Sequence, residues 1–166
     1  MDFLSFNFRH FISFSGITRV FQLIFGLVVV FCAGVSVCEL HKAGGPVCAS
    51  YSAYAPGQGY VLFVGSVCII LSGFFLVAHL FKLPLRLYKL PWPALELIFT
   101  GGAVVLYFVA AVIEAWYAGG AGTGDFASPL NGYTPWIVSA VFAFLNWAIY
   151  LVQLFWFFVF GTGTAE

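Results

Sequence analysis

The stretch KLPLRLYKLPWPALE, residues 82–96, separates two long apolar segments of the chain. Three of the six Lys and Arg residues, Lys82, Arg86 and Lys89, fall within eight of its positions. Two prolines then precede Glu96, and proline followed by a carboxylate is typical of the first turn of a helix. We therefore interpret the stretch as a short polar hinge between two helices, in which Glu96 pairs with Lys89 or Arg86.

The composition is that of a protein surrounded by lipid. Of the 166 residues, 63% are apolar, 20% are aromatic and only 7% are charged, with a formal net charge of zero. Soluble domains carry roughly 25% charged residues. Nucleic acid is excluded as a partner because six basic residues could neutralise few phosphates.

Four apolar segments are long enough to cross a bilayer of about 30 Å as helices. They do not alternate between polar and apolar residues as the strands of a membrane barrel do, and helices satisfy their own backbone hydrogen bonds in lipid. The predicted fold is an all-α membrane protein, an antiparallel four-helix transmembrane bundle. The predicted spans lie at about 17–37, 60–81, 94–116 and 135–160, followed by a tail at 161–166. The N-terminal segment 1–16 is either a short amphipathic helix on the inner leaflet or a disordered apolar tail.

The basic residues predict which way the bundle faces. Arg9 precedes the first span, Arg19 lies at its start and three more lie in the hinge, whereas only Lys42 lies in the other loops. Because basic residues favour the cytosolic side, we expect both termini in the cytosol. The hinge cations Lys82, Arg86 and Lys89 would then contact lipid headgroups, with Trp92 as an interfacial anchor.

A cysteine pair lies in the first loop on the opposite side, in CELHKAGGPVC. Cys38 and Cys48 are suited to a disulfide in an oxidising compartment. The alternatives are two unlinked thiols, or a zinc site that includes His41. The zinc site lacks a fourth ligand and has no common spacing, so no metal is expected.

Polar side chains within the spans are candidate functional groups because their insertion is costly. Glu114 lies about one turn from the end of the third span, where we expect it to reach water or headgroups at the interface. Asn146, Gln22 and Gln153 are interpreted as groups that form hydrogen bonds between helices. Frequent small residues permit close helix contacts, either within one chain or between chains of an oligomer.

Catalysis has no candidate centre in this sequence. It contains no Ser, His and Asp constellation, no Gly-rich phosphate loop, no CxxC and no HExxH. We expect a protein that is not an enzyme and has no cofactor apart from bound lipid or sterol. A small oligomeric channel or transporter that uses Glu114 or Asn146 is the alternative.

The motifs GITRVFQLIFGLVV (16–29), GQGY (57–60), LPLRLYKLPWP (83–93) and VLYFVAAVIEA (105–115) carry a family resemblance. In their order and spacing the chain resembles the MARVEL-domain family of tetraspan proteins, especially its plasmolipin and myelin-and-lymphocyte proteolipids. The resemblance implies a non-enzymatic membrane organiser in ordered, sterol- and sphingolipid-rich membrane that supports vesicle trafficking, apical sorting, myelin or junctions. It also implies the plasma membrane and endosomal or Golgi-derived vesicles as locations, with lipids, further copies or other membrane proteins as partners.

Overall fold

A computed structural model describes residues 13–34, 37–41, 45–49, 57–81, 83, 91–118 and 134–160, with only the backbone described in the two strands. Four long helices dominate this part of the chain, and each is long and apolar enough to span a membrane. The predicted four-span fold is therefore confirmed. The helices are α1 (Phe14–Gly34), α2 (Gly57–Leu80), α3 (Trp92–Ala118) and α4 (Thr134–Phe160).

The helices begin earlier than the apolar pattern predicted. At α1 the reason is a cap, because the backbone N–H of Gly16 donates to the Ser13 hydroxyl over 3.2 Å. The predicted end of this span, Val37, instead begins a strand. Helix α2 starts at Gly57 rather than Tyr60, which moves the neighbouring glutamine from a predicted loop into the bundle. Residues 1–12 of the N-terminal segment, residues 82 and 84–90 of the hinge, and the C-terminal tail lie outside the described residues.

Neighbouring helices run antiparallel and close into a ring in the order α1, α2, α3, α4. Between α1 and α2, Gly26 lies against Ile69 and Gly65 lies against Val30. Residue numbers therefore rise along one helix as they fall along the other, which makes the two helices antiparallel. Between α3 and α4, the Tyr107 ring lies 5.5 Å from that of Tyr150 and the Tyr117 ring 5.7 Å from that of Trp136. Ring and polar contacts likewise join α4 to α1 and α2 to α3.

Polar and small residues line the inside of the bundle, and bulky apolar residues cover its outside. The inward positions of α4 follow one another at alternating steps of three and four residues, as a single helix face requires. These positions are Ser139, Ala143, Asn146, Tyr150 and Gln153, all buried. Large apolar side chains point the other way, and they form the surface that contacts lipid. Among the most exposed are Phe31, Ile70, Ile98, Phe155 and Phe158.

A two-stranded antiparallel hairpin connects α1 to α2. Its strands are β1 (Val37–His41) and β2 (Gly45–Ala49). The register pairs Val37 with Ala49 and Cys38 with Cys48. This loop was predicted without strands, because strands of five residues, one of which begins with Gly-Pro, leave little periodic signal.

Gly65→Ala is expected to lower the free energy of unfolding by about 1 kcal/mol, as overpacking exceeds the gain in helix propensity. An added Cβ would lie 2.5 Å from Cγ2 of Val30, a β-branched side chain that cannot rotate aside. Gly102→Ala is the matched control, because its Cβ would meet nothing within 4 Å. We expect that control to be neutral or stabilising in denaturant titrations followed by circular dichroism. Equal effects of the two changes would contradict the close approach of α1 and α2.

Candidate functional site

The interior of the bundle contains an ion pair between α1 and α3. Arg19 Nη2 lies 3.3 Å from Glu96 Oε1, although 77 residues separate the two in the chain. The exposed fraction is 1% for Arg19 and 8% for Glu96. Both lie toward the end of the bundle where α1 and α3 begin and α2 and α4 end, which we call the terminal end. The opposite end, beside the β hairpin, is called the hairpin end.

Two aromatic rings enclose the guanidinium of Arg19. Its Cζ lies 5.3 Å from the centroid of Phe75 and 5.4 Å from that of Phe99. A desolvated cation between ring faces gains a cation–π attraction of up to about 2 kcal/mol. This environment suits arginine better than lysine, because the planar guanidinium is less strongly hydrated and can stack on rings.

Hydrogen bonds extend from this ion pair to all four helices. The side-chain oxygen of Gln22 accepts from Arg19 Nη1 over 3.3 Å and from the Ser72 hydroxyl over 3.3 Å. Its amide nitrogen donates to Gln153 Oε1 over 2.6 Å. Because Ser72 gives its hydrogen to Gln22, the Tyr150 hydroxyl, 2.7 Å away, donates to Ser72. The terminal polar cluster therefore consists of Arg19, Gln22, Ser72, Glu96, Tyr150 and Gln153.

His79 lies at the rim of the terminal polar cluster. Its Nδ1 lies 2.9 Å from the backbone oxygen of Phe75, an acceptor, so Nδ1 carries the hydrogen and donates it. The same nitrogen lies 3.8 Å from Glu96 Oε1. His79 thus lies beside the same carboxylate oxygen that Arg19 contacts.

A second polar group lies at the hairpin end and is called the hairpin-end cluster: Gln58, Glu114 and Ser139. The Gln58 amide donates to Glu114 Oε2 over 3.3 Å. Ser139 lies beside the same carboxylate and also donates to the Val29 backbone oxygen over 3.5 Å. All three cluster residues are 0% exposed. The prediction that Glu114 reaches water or headgroups is therefore wrong, because α2, α3 and α4 enclose it.

An apolar layer separates the two polar clusters. Tyr107 marks the level of the terminal polar cluster, because its ring lies 5.5 Å from that of Tyr150. Tyr107 and Glu114 lie on the same face of α3, seven residues apart, which corresponds to about 10 Å along the helix axis. Among the described residues, buried apolar side chains from all four helices lie between them. This apolar layer is Val29, Val61, Val64, Ala110, Ala111 and Ala143.

Several predicted site residues have surroundings that the sequence did not indicate. Trp92, predicted as an interfacial anchor, is only 5% exposed and packs with Phe75 and Ala78 inside the bundle. Glu96 has Arg19 as a partner, whereas Lys89 and Arg86 were the predicted ones. The hinge residues Lys82, Arg86 and Lys89 lie outside the described residues.

The predicted interhelical groups meet one another or a neighbouring backbone. Gln22 of α1 forms a hydrogen bond with Gln153 of α4, and the Asn146 amide donates to the Gln22 backbone oxygen over 3.4 Å.

Within the part of the chain that the structure describes, no group of three or more His, Cys, Asp or Glu side chains could hold a metal ion.

Five contributors to these clusters were missed from the sequence. They are Arg19, Gln58, Ser72, Ser139 and Tyr150. A signal was present in α1, where Arg19, Gln22 and Gly26 follow one another at steps of three and four residues on one face. In lipid such a face of polar and small residues is the one that turns inward.

A ring of four antiparallel spanning helices with a buried polar interior defines a multi-pass membrane protein of the tetraspan class. The model of the membrane-associating domain known as MARVEL matches residues 10–156. The chain therefore belongs to the MARVEL family, as the sequence motifs predicted.

Individual relatives agree with this assignment. MARVEL domain-containing protein 1 of Xenopus laevis is 34% identical over 100 residues, which are 60% of this chain and 56% of that protein. CKLF-like MARVEL transmembrane domain-containing protein 8 of Mus musculus is 31% identical over 104 residues, 63% of this chain and 57% of that protein. Plasmolipin of Bos taurus is 39% identical over 57 residues, 34% and 31% respectively. The matches thus span little more than half of the first two relatives, and a third of plasmolipin.

Proposed function

We propose that this chain is a non-enzymatic membrane organiser that acts through its lipid-facing surface, with both termini in the cytosol. Membership of the MARVEL family and the likeness to plasmolipin support an organising role. The observation that carries the proposal is the distribution of side chains. Large apolar groups face outward along all four helices, while the polar groups contact one another inside. The surface offered to the surroundings is therefore one that lipids and other spanning helices contact.

The lengths of three of the four helices favour thick, ordered membrane. Helices α3 and α4 have 27 residues each, and α2 has 24. At 1.5 Å per residue these correspond to about 40 and 36 Å, against about 32 to 33 Å for the hydrocarbon of a sterol- and sphingolipid-rich plasma membrane. Thinner membranes would leave more of these apolar helices outside the hydrocarbon. We therefore propose that the chain concentrates in such ordered membrane, and from there supports vesicle trafficking, apical sorting, myelin or junction organisation.

Phase-separated giant vesicles test this proposal. The labelled full chain, reconstituted in sterol, sphingomyelin and unsaturated phosphatidylcholine, is expected to be enriched in the thicker ordered phase. Phe155→Ser with Phe158→Ser shortens the apolar surface of α4 near its end, at side chains that are 66% and 72% exposed, and should reduce the enrichment. Val141→Ser with Leu145→Ser adds the same number of hydroxyls at mid-helix without shortening that surface, and should reduce it less. Enrichment in the thinner phase would contradict the proposal.

A channel or transporter using Glu114 or Asn146 would need a polar path along the bundle. The apolar layer separates the Asn146 level from that of Glu114 by about 10 Å, a distance that no hydrogen bond covers. We therefore favour the organiser. A proton or cation flux into liposomes that contain the native chain, lost in Glu114→Gln, would favour the transporter instead.

A further inference from the structure

The register of the β hairpin places the two loop cysteines opposite each other. Cys38 of β1 and Cys48 of β2 are direct partners, and so are Leu40 and Pro46 two residues further along. Because the register is a property of the backbone, it specifies which residues oppose one another and which share a face of the hairpin.

Pro46 determines the type of each pair in this ladder. In antiparallel strands, opposing pairs alternate between those that exchange two backbone hydrogen bonds and those that exchange none. Proline has no N–H to donate, so the pair of Leu40 and Pro46 cannot be of the hydrogen-bonded type. Pairs two steps apart are of the same type. The pair of Cys38 and Cys48 is therefore also non-hydrogen-bonded.

This pair type suits a covalent bridge. In pairs of this type the Cα atoms are generally about 4.5 Å apart, closer than the roughly 5.5 Å of the hydrogen-bonded type. A disulfide requires a Cα separation of about 4.4 to 6.8 Å. We propose that Cys38 and Cys48 form a disulfide within one chain, across a non-hydrogen-bonded pair of the hairpin.

The reaction is a thiol–disulfide exchange. The thiols of Cys38 and Cys48 are oxidised and their sulfurs become bonded to each other, while an oxidoreductase disulfide takes up the two electrons and two protons and becomes a dithiol. Such oxidation is sustained outside the cytosol or in the secretory lumen. The proposed disulfide therefore rests on the orientation given under the proposed function, in which the hairpin end faces away from the cytosol. It would cross-link the two strands of the hairpin that connects α1 to α2.

Counting free thiols in the full chain made in secretory-pathway membranes tests the inference. The chain has four cysteines. Alkylation after denaturation without reductant should modify two of them, Cys32 and Cys68, and all four after reduction. Peptide mapping should link Cys38 to Cys48. Four alkylated thiols without reductant, or a bond that includes Cys32 or Cys68, would overturn the proposal.

Moving one thiol by a single residue tests whether the strand register is what brings the two cysteines together. In a background with Cys32→Ser and Cys68→Ser, Val47→Cys with Cys48→Ser moves the second thiol by one residue and to the other face of the strand. The separation along the chain hardly changes, so a flexible loop would still close. We expect the yield of cross-linked chain to fall at least about tenfold, since a one-residue shift reverses the face. An unchanged yield would overturn the proposal.

The alkylation experiment tests the disulfide, and the phase-partition experiment separately tests the organiser proposal. Free thiols in a chain that still concentrates in the ordered phase would reject the disulfide and leave the organiser proposal standing. A bridged chain that enters the thinner phase would reject the organiser and leave the disulfide standing.

Discussion

Arg19→Met is expected to lower the free energy of unfolding by about 3 to 5 kcal/mol, the usual cost of removing one partner of a buried ion pair. The substitution leaves the Glu96 carboxylate, 8% exposed, without the guanidinium that lies 3.3 Å from it. It also removes the donor to Gln22 and the cation between two phenylalanine rings. Denaturant titration in mixed micelles, followed by far-ultraviolet circular dichroism, measures the loss.

Two further variants separate the ion pair from a general effect of charge. Arg19→Met with Glu96→Met removes both charges, and stability should return to within about 1.5 kcal/mol of the native chain. Arg86→Met removes a cation from the hinge, the predicted partner of Glu96, and should change stability by less than about 1 kcal/mol. If Arg86→Met costs as much as Arg19→Met, the assignment of Arg19 as the essential partner is wrong.

Gln58→Leu is expected to destabilise the hairpin end by about 2 to 3 kcal/mol, because Glu114 loses a donor in a site that water does not reach. The amide of Gln58 lies 3.3 Å from Glu114 Oε2, and both residues are 0% exposed. The same titration in mixed micelles measures this change.

The controls for this prediction lie on the same two helices. Ser66→Ala removes an exposed hydroxyl from α2 and should change stability by less than about 0.5 kcal/mol. Gln58→Leu with Glu114→Leu replaces both polar partners by apolar groups and should recover most of the loss. A double variant that is less stable than Gln58→Leu alone would show that Glu114 has other important contacts.

The four spans were predictable because length and apolarity determine them. The thickness of the hydrocarbon fixes how many residues a span needs, and water-free surroundings allow only a few backbone structures. The boundaries were less predictable, since they depend on local bonds such as the cap that Ser13 provides to α1. The two strands of the hairpin were missed because they have only five residues each.

The polar contacts were only partly predictable. Gln22, Gln153 and Asn146 could be identified as interhelical groups, since an amide in a span needs a partner. Their partners depend on which helices are neighbours, and sequence distance gives no guide, as the separation of 77 positions between Arg19 and Glu96 illustrates. Glu114 was placed at the interface because it lies about one turn from the predicted end of its span. Gln58, which encloses it, was assigned to a loop, so its contact with Glu114 was not foreseen.

The two polar clusters explain how so apolar a chain folds to a unique arrangement. Lipid-facing side chains interact similarly with lipid tails whatever the order of the helices, so they provide little specificity. Hydrogen bonds among Gln22, Ser72 and Gln153 join three of the helices, and the Arg19 to Glu96 pair adds α3. The polar groups therefore serve the interior, which leaves the outer surface free to contact membrane.

The lipid that stays bound to the native chain tests the central claim most directly. The full chain, extracted with its surrounding bilayer in a lipid-solubilising polymer, is analysed by mass spectrometry, and the lipids are compared with those of the whole membrane. A membrane organiser with this shell and these helix lengths should retain sterol and sphingolipid above their proportion in the starting membrane. A bound fraction depleted in both, with unsaturated phospholipid enriched, would contradict the account.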